Sequence, residues 1–308
     1  MTDFRQIPFV DAHIHLWDLE HLRYPWLMPP FSDEGPNGSV EAIAQNYLLD
    51  DYLADAKNWN VVGAVHIDAG AHPGDALRET AWLQGMADRR GLPNGIVAFA
   101  ALDDPNVEPL LEAHAAHRNV RSIRHIVNWH PNPRRTYTPR DVTGDPAWQR
   151  GFGLLAKYGL SFDLQAYANQ FAGLAELIGR HPDTQVVINH AGMPVDTDSD
   201  GRAHWSKGMR RLAELPNVAV KISGLGFVHR PPTLDLIRPY VREVVDTFGP
   251  ARCMVASDFP TDKLFGSFDD TLGAVAASIS DLSDDEQGDL WSRNADRIYR
   301  LGLPNLTV

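Results

Sequence analysis

The sequence lacks several features that large classes of protein require. Its 308 residues include a single cysteine, Cys253, which excludes an intramolecular disulfide and a metal cluster held by cysteines. No apolar stretch approaches the roughly 18 residues that a membrane-spanning helix needs. The opening residues contain no apolar signal region, so we expect a cytoplasmic protein without a membrane partner.

Positive charge is scarce as well. The chain carries 28 Lys and Arg against 40 Asp and Glu, a formal net charge of −12 with neutral histidines. A basic surface is the usual signature of proteins that bind nucleic acid or an anionic membrane, so we expect neither as a partner. An anionic small molecule needs only a few local cationic side chains, so a small-molecule substrate remains open.

The chain does contain a regular alternation of short β-branched segments with segments of helical periodicity. The predicted strands are Phe9–His15, Val61–Ile67, Gly95–Leu102, Val120–Val127, Leu160–Gln165, Gln185–Ala191, Val218–Ser223 and Cys253–Ser257. The predicted helices lie at about 39–58, 76–90, 107–118, 146–158, 168–180, 203–215, 233–248 and 268–280. Several strands are apolar nearly throughout, which is typical of parallel strands covered on both faces. Eight βα units predict a single (β/α)8 TIM barrel over residues 1–308.

The alternative architecture is a doubly wound open sheet, which predicts a glycine-rich phosphate loop after an early strand. The first strand here runs instead into His-Ile-His-Leu-Trp-Asp, which favours the barrel. A capping box formed by Ser283 and Glu286 predicts a ninth helix over Asp284–Tyr299. We expect its apolar side chains to pack on the outside of the barrel: Leu290, Trp291, Ile298 and Leu301.

Three connections are candidates for the walls and lid of a pocket. Residues 16–38 and 128–145 are longer than a compact domain needs, and both are rich in aromatic residues; a shorter connection covers 192–201. Each follows a predicted strand and would therefore lie at the C-terminal face, where barrel enzymes build their sites. The alternative is that they are surface loops without a function.

Histidines mark the end of the first strand. His13 and His15 are two residues apart, so strand geometry places them on one face, with Asp11 expected deeper on that face. Two adjacent imidazoles can bind a transition metal or donate two hydrogen bonds to one oxygen.

Two further polar residues follow predicted strands. His190 ends the sixth strand and Asp258 ends the eighth. Taken singly, His190 could be a core histidine bonded to a backbone carbonyl, and Asp258 could cap the loop before Pro260. Taken together with the histidine pair, they converge at the C-terminal mouth of one barrel. That arrangement can polarise a carbonyl group and activate a water molecule.

At this point the sequence resembles the amidohydrolase superfamily, in its amidohydrolase-2 branch. That branch includes sugar-acid lactonases of the fuconolactonase type and 2-pyrone-4,6-dicarboxylate hydrolase. The resemblance spans nearly the whole chain. The segments that carry it are Val10–Asp18, Tyr24–Leu27, Ser161–Gln165, Ile188–Pro194, Val220–Leu225, Phe248–Met254, Ser257–Pro260 and Asn294–Tyr299.

The resemblance implies a role for each residue of the quartet. Asp258 would be the general base on the hydrolytic water, and His13, His15 and His190 would hold the carbonyl oxygen, directly or through one metal ion. The bridging Lys or Glu of strand 4 and the His of strand 5 that binuclear members carry are missing here. The resemblance therefore implies no required cofactor, or one zinc ion held by the quartet, in a monomer or homodimer.

Substrate contacts are expected from polar side chains near the same strand ends. Arg124 is a candidate anion clamp or, alternatively, part of an outer-face ion pair. Lys221 would bind a hydroxyl or carboxylate or pair with an acid inside the barrel. Asp163 is either an acceptor for sugar hydroxyls or a buried structural acid. Further candidates for the pocket lining are His66, Asp68, His125, Trp129, His130 and Tyr167.

The sequence therefore predicts an enzyme that opens a sugar-acid or carboxylated lactone. Three alternatives remain: a zinc-dependent nonoxidative decarboxylase of an aromatic or muconate-type acid, a hydrolase of another ester or amide, and a non-catalytic binding barrel.

Overall fold

The computed structural model describes residues 4–307 and shows eight parallel strands in the order β1 to β8. They are β1 (Phe9–Ile14), β2 (Val61–Ile67), β3 (Gly95–Phe99), β4 (Val120–Arg124), β5 (Ser161–Leu164), β6 (Val186–Ile188), β7 (Val218–Ile222) and β8 (Cys253–Val255). A parallel bridge between Ile14 and Phe259 joins the two ends of the sheet. The prediction of a (β/α)8 barrel is confirmed.

Helices cover the outside of the barrel between successive strands. They are α1 (Leu49–Asp55), α2 (Ala76–Arg90), α3 (Val107–Ala115), α4 (Pro146–Leu154), α5 (Phe171–Gly179), α6 (Ser199–Ala213), α7 (Leu234–Phe248) and α8 (Phe268–Ser278). The predicted ninth helix is present as α9 (Asp284–Gly288), a π-helical turn (Asp289–Arg293) and α10 (Asn294–Tyr299). Its capping box forms as expected, because Ser283 Oγ accepts from the Glu286 N–H and the Ser283 N–H donates to Glu286.

The first predicted helix was too long. Helix α1 begins at Leu49, whereas the prediction began at residue 39. Tyr47 is extended because it exchanges two backbone hydrogen bonds with Trp17 of the β1 connection. The Asp51 side chain then accepts from the Leu48 N–H at 2.8 Å and starts the helix there. Pairing with a distant segment, which local periodicity does not reveal, overrides the helical preference.

Apolar side chains inside the barrel form a cluster separate from the one under the helices. Val10, Val65, Val97 and Met254 belong to the inner cluster. Ile298 and Tyr299 of α10 join this inner cluster, with Leu301 packed against it.

The prediction that the whole ninth helix packs outside was therefore wrong for Ile298 and Leu301. Leu301 approaches Gly95, the first residue of β3, so this segment closes the N-terminal face of the barrel. Leu290 and Trp291 pack with the outer cluster, as expected. Among residues 4–307, no helix combines the length and apolar character needed to cross a bilayer.

Candidate active site

The four predicted residues meet at the C-terminal mouth of the barrel. Asp258 Oδ1 lies 3.2 Å from His13 Nε2 and 3.3 Å from His15 Nε2, and Asp258 Oδ2 lies 3.9 Å from His190 Nδ1. The Nε2 atoms of His13 and His15 are 3.2 Å apart. All four side chains are buried. The structure thus brings together residues from the first, sixth and eighth strand ends, which lie far apart in the chain.

The carboxylate of Asp258 is buried without a conventional hydrogen-bond partner. Among the described residues, no donor makes a hydrogen bond of good geometry to either of its oxygens. Burial raises the pKa of Asp258, and the nearby His190, Arg124 and Lys221 act in the opposite direction. A buried polar group without a partner is costly in a finished fold. These oxygens are therefore available to bind a water, a substrate proton or a cation.

The backbone at two of these residues adopts the left-handed conformation. His190 has φ of 54° and Asp258 has φ of 58°. Side-chain-bearing residues rarely occupy this region, and each instance costs about 1–3 kcal/mol. Strand β6 therefore ends at Ile188, three residues before the predicted end at Ala191. The same turn aims the His190 ring at Asp258, so the strain positions the side chain.

Two of the three histidines, His15 and His190, are oriented by a second contact. His15 Nδ1 lies 2.9 Å from the carbonyl oxygen of Ile67 in β2, and His190 Nδ1 lies 3.1 Å from Ser223 Oγ after β7. Burial lowers the pKa of His15 to about 3 and that of His190 to about 4. Burial also lowers the pKa of His13, with further lowering from Lys221. All three imidazoles are therefore neutral at pH 7.

Asp11 does not share the face of the histidine pair, and that prediction was wrong. The pairing of β1 with β2 contains a register shift between Asp11 and Ile14, so the two-residue alternation is broken there. The Asp11 carboxylate instead accepts from the Tyr52 hydroxyl of α1 at 3.0 Å and from the Ser257 N–H at 2.9 Å. Asp11 therefore ties β1 to the residue that precedes Asp258.

A cavity of about 240 Å³ lies above the quartet. Three of the loops predicted as walls contribute to it, through Trp26 and Asn37, through Tyr137, and through Met193. The remaining lining residues are His15, Ala69, Gly70, Arg124, Ile126, Gln165, His190, Phe227, Asp258 and Thr261. The prediction that these long connections enclose a pocket is confirmed.

Arg124 is the predicted substrate contact that lines the cavity. Its Nε donates to Asp68 Oδ2 at 3.2 Å, and its Nη1 donates to Gln165 Oε1 at 3.1 Å. Its Nη2 also donates to the Asp68 carbonyl oxygen. A guanidinium has five N–H donors, so two remain after these three bonds.

Lys221 and Asp163 lie beneath the cavity and do not line it. Lys221 Nζ is 2.6 Å from Asp163 Oδ1, and both side chains are fully buried. The same oxygen accepts from the Asn189 side chain at 3.0 Å and from the Tyr299 hydroxyl at 2.8 Å. Of the two expectations for Asp163, this position corresponds to the buried structural acid.

The other predicted contacts are not among the residues that line this cavity. His66 Nε2 donates to the Leu16 carbonyl oxygen at 3.1 Å, and its ring stands edge-on to His15. Trp129 is half-buried, and its backbone N–H donates to Gln170 Oε1. The Tyr167 hydroxyl donates to the Arg135 carbonyl oxygen at 2.6 Å and lines a neighbouring cavity together with His130. His125 accepts from the indole of Trp148.

Sequence reasoning missed several residues that line the cavity. Asn37, Gln165, Met193 and Phe227 were not named as candidates. Nothing in the local sequence distinguishes Asn37, Met193 and Phe227 from other loop residues. Gln165, as the residue directly after β5, could have been found from the rule that strand ends face the mouth.

The donor set at the mouth fits one metal ion. The Nε2 atoms of His13 and His15 and Oδ1 of Asp258 are separated from one another by 3.2 to 3.3 Å. Ligands of a tetrahedral zinc at about 2.0–2.1 Å lie roughly 3.3 Å from one another. The buried and unpartnered Asp258 carboxylate adds the negative charge that a divalent cation requires.

Comparisons with known proteins agree with this geometry. The profile of the Amidohydro_2 family, described as amidohydrolase, matches residues 10–301. The uncharacterized protein y4mH of Sinorhizobium fredii is 44% identical over 296 residues, covering 96% of this chain and 99% of that protein. L-fucono-1,5-lactonase of Burkholderia multivorans is 28% identical over 312 residues, covering 96% and 97%. The crystal structure of a Burkholderia multivorans amidohydrolase with bound zinc has 26% identity and a TM-score of 0.78, covering 96% of this chain and 100% of that chain.

Proposed function

Because the chain belongs to the Amidohydro_2 family of amidohydrolases, we propose that it hydrolyses a lactone of a sugar acid or of another small carboxylated acid. The observation that carries the proposal is the Asp258 carboxylate, which is buried, unpartnered and within 3.2 to 3.9 Å of three neutral histidines. A general base needs a free carboxylate that faces the reacting water. The histidines supply nitrogen atoms around the position of the carbonyl oxygen.

The proposed reaction proceeds in two steps. Asp258 accepts a proton from water while the water oxygen bonds to the lactone carbonyl carbon, and negative charge moves to the carbonyl oxygen. That charge is stabilised by N–H donors of His13 and His190, each worth roughly 3 kcal/mol in comparable sites. The bond between the carbonyl carbon and the ring oxygen then breaks, and Asp258 returns its proton to the leaving alkoxide. The product is the open hydroxy acid.

His13, His15 and Asp258 are the residues that would hold a zinc ion. When bound there, zinc would act as a Lewis acid on the carbonyl group. With or without zinc, Arg124 and Gln165 would bind and orient oxygen atoms of the substrate at the cavity wall.

The size and lining of the cavity support a single-ring substrate. A volume of about 240 Å³ is below the roughly 300–1,000 Å³ of sites for drug-sized ligands. The two N–H groups of Arg124 that make no hydrogen bond within residues 4–307 suit a hydroxyl or carboxylate oxygen. The name of the Burkholderia multivorans relative, L-fucono-1,5-lactonase, supports a sugar-acid lactone as the first substrate to test.

The decisive experiment is a hydrolysis screen with a pH indicator over sugar-acid and pyrone lactones. The protein is treated with a chelator and assayed with and without added zinc. Turnover in both samples supports the lactonase and shows that Asp258 and the histidines suffice. Turnover only with zinc supports the lactonase with a required metal. Absence of turnover with every lactone would contradict the proposal.

The zinc-dependent decarboxylase remains the second candidate, because the same three donor atoms fit a metal ion. It is tested by incubating the zinc-loaded protein with aromatic acids and measuring carbon dioxide release. Release of carbon dioxide, with no lactone turnover, would replace the lactonase by this alternative.

A further inference from the structure

His13 and His15, at the end of β1, each contact a second group through Nδ1, and the two groups differ: one is a hydrogen-bond acceptor and the other a donor. His15 Nδ1 lies 2.9 Å from the carbonyl oxygen of Ile67. A carbonyl oxygen can only accept a hydrogen bond, so His15 carries its proton on Nδ1. Its Nε2 atom, which faces His13 and Asp258, is therefore an unprotonated acceptor.

The Nδ1 atom of His13 faces a cation, whereas the Nδ1 atom of His15 faces a carbonyl oxygen. His13 Nδ1 lies 3.5 Å from Lys221 Nζ, and Lys221 forms its ion pair with Asp163 on its other side at 2.6 Å. An ammonium group donates hydrogen bonds and has no acceptor. His13 Nδ1 must then be the acceptor, and the proton of this neutral ring resides on Nε2.

The contact between the two rings agrees with this assignment. The Nε2 atoms are 3.2 Å apart, and one is assigned as a donor while the other is assigned as an acceptor. Two donors in these positions would repel each other, and two bare nitrogens would have no proton to share. The partners of Nδ1 on the two rings thus determine which Nε2 atom can donate into the cavity.

We propose that Lys221 is a positioning residue that keeps the proton of His13 on Nε2, where it donates to the carbonyl oxygen, and that thereby weakens metal binding at the mouth of the barrel. The role of His13 as a donor to the carbonyl oxygen rests on the proposed lactonase activity. The effect of Lys221 on metal binding concerns the protein without substrate and does not depend on that activity.

The effect on metal binding follows from the usual surroundings of metal ligands. A histidine that binds a metal through one nitrogen donates its other N–H to a carboxylate, a carbonyl oxygen or water. His15 has that arrangement through Ile67. His13 would have to present an N–H to the ammonium of Lys221, which can accept nothing. Asp163 accepts from Lys221, Asn189 and Tyr299 through Oδ1, and among the described residues it makes no hydrogen bond to His13.

The first test is the position of the His13 proton in the chelator-treated wild-type protein. Nitrogen-15 NMR of the histidine rings distinguishes protonated from unprotonated nitrogens, and the His13 signals are identified by their loss in His13→Gln. We expect His13 protonated on Nε2 and His15 protonated on Nδ1. A wild-type His13 protonated on Nδ1 would overturn the proposal without any variant of Lys221.

The second test is the affinity for zinc, measured by competition with a chromophoric chelator. The double variant Lys221→Met, Asp163→Asn removes both charges of the buried pair, so neither is left unpaired. We expect it to bind zinc about 10–100-fold more tightly than wild type, a gain as large as the loss that follows removal of a favourable outer partner of a metal ligand. Lys157→Met removes a surface lysine paired with Glu108 and should leave the affinity unchanged. An affinity of the double variant equal to that of wild type would contradict the proposal.

Neither measurement uses turnover. A failed lactone screen with the expected NMR and zinc results would reject the proposed function but retain the effect of Lys221 on His13. The reverse pattern would retain the lactonase and reject this effect.

Discussion

The backbone N–H of Asp258 donates a 2.9 Å hydrogen bond to the carbonyl oxygen of His13. This bond lies where the segment after β8 pairs with β1. The contact that closes the barrel therefore also places Asp258 beside His13. The proposed base and the proposed oxyanion donors are held at a distance that the sheet itself sets. Rigid elements hold catalytic groups more precisely than loops do.

Replacing Asp258 by Asn should abolish most turnover and leave the fold intact. The amide keeps the shape of the side chain but cannot accept the proton of the attacking water. We expect kcat to fall by about 10²–10⁴-fold, the usual contribution of a general base. Steady-state kinetics measure the loss, and circular dichroism checks the fold. Asp235→Asn, an exposed aspartate in the first turn of α7, is the matched control; turnover in Asp258→Asn equal to that of this control would reject the assigned base.

A methyl group at Gly224 should displace His190. Gly224 has φ of 62°, and a Cβ atom there would lie 2.5 Å from His190 Nδ1. Gly159 has nearly the same conformation, with φ of 64°, but no atom lies within 4 Å of the corresponding position. Both Gly→Ala variants should lose about 1–2 kcal/mol of stability from the left-handed backbone.

Only Gly224→Ala should also lose activity, because only there does the methyl group meet a site residue. The comparison requires unfolding curves and kcat for both variants. Equal activity losses in the two would show that the His190 position does not matter.

The Tyr137 hydroxyl donates to Asn37 Oδ1 and joins the loops after β4 and β1 across the cavity. Removing this bond with Tyr137→Phe should let the mouth open and raise KM about fivefold, since a neutral hydrogen bond contributes about 1 kcal/mol. Asn37→Ala should have a similar effect, and the double variant should be no worse than either single variant. Fully additive effects on KM in this double-mutant cycle would show that the two residues act independently.

Glu79 should make the protein less stable as the pH rises. It is buried in α2, where it accepts from the Tyr24 hydroxyl, and burial followed by the charge of Asp68 raises its pKa from 4.5 to about 8. The folded state then binds this proton more tightly than the unfolded chain. The free energy of unfolding therefore falls between about pH 4.5 and pH 8 and levels off above that range.

Thermal unfolding of wild type and Glu79→Gln across this range tests the effect. The midpoint of the variant should decline less with pH than that of wild type, because the amide does not titrate. Glu214→Gln changes an exposed glutamate and should keep the wild-type profile. A wild-type profile for Glu79→Gln would contradict the assignment.

Much of the architecture could be predicted because it depends on local pattern. Apolar strand segments and helical periodicity predicted eight βα units, and parallel strands between helices have few ways to close. His13, His15, His190 and Asp258 were recognised because each lies at or just after the end of a buried strand.

The faces and contacts of side chains were less predictable. The register shift after Asp11 cannot be detected in the two-residue alternation on which the prediction relied. Ile298 and Tyr299 belong to a segment whose local pattern predicted a helix on the outside of the barrel. They join the inner cluster instead, because the open N-terminal end of the barrel must be filled.

The sequence alone thus determined the barrel and the residues at its mouth, since these follow from periodicity and from the positions of polar residues after apolar strands. Tertiary structure decided how those residues are used. Whether a charge such as Lys221 faces the cavity or a buried partner depends on residues that approach from other strands, here Asp163 and His13. Such contacts depend on three-dimensional distances of a few ångströms, which sequence spacing does not specify.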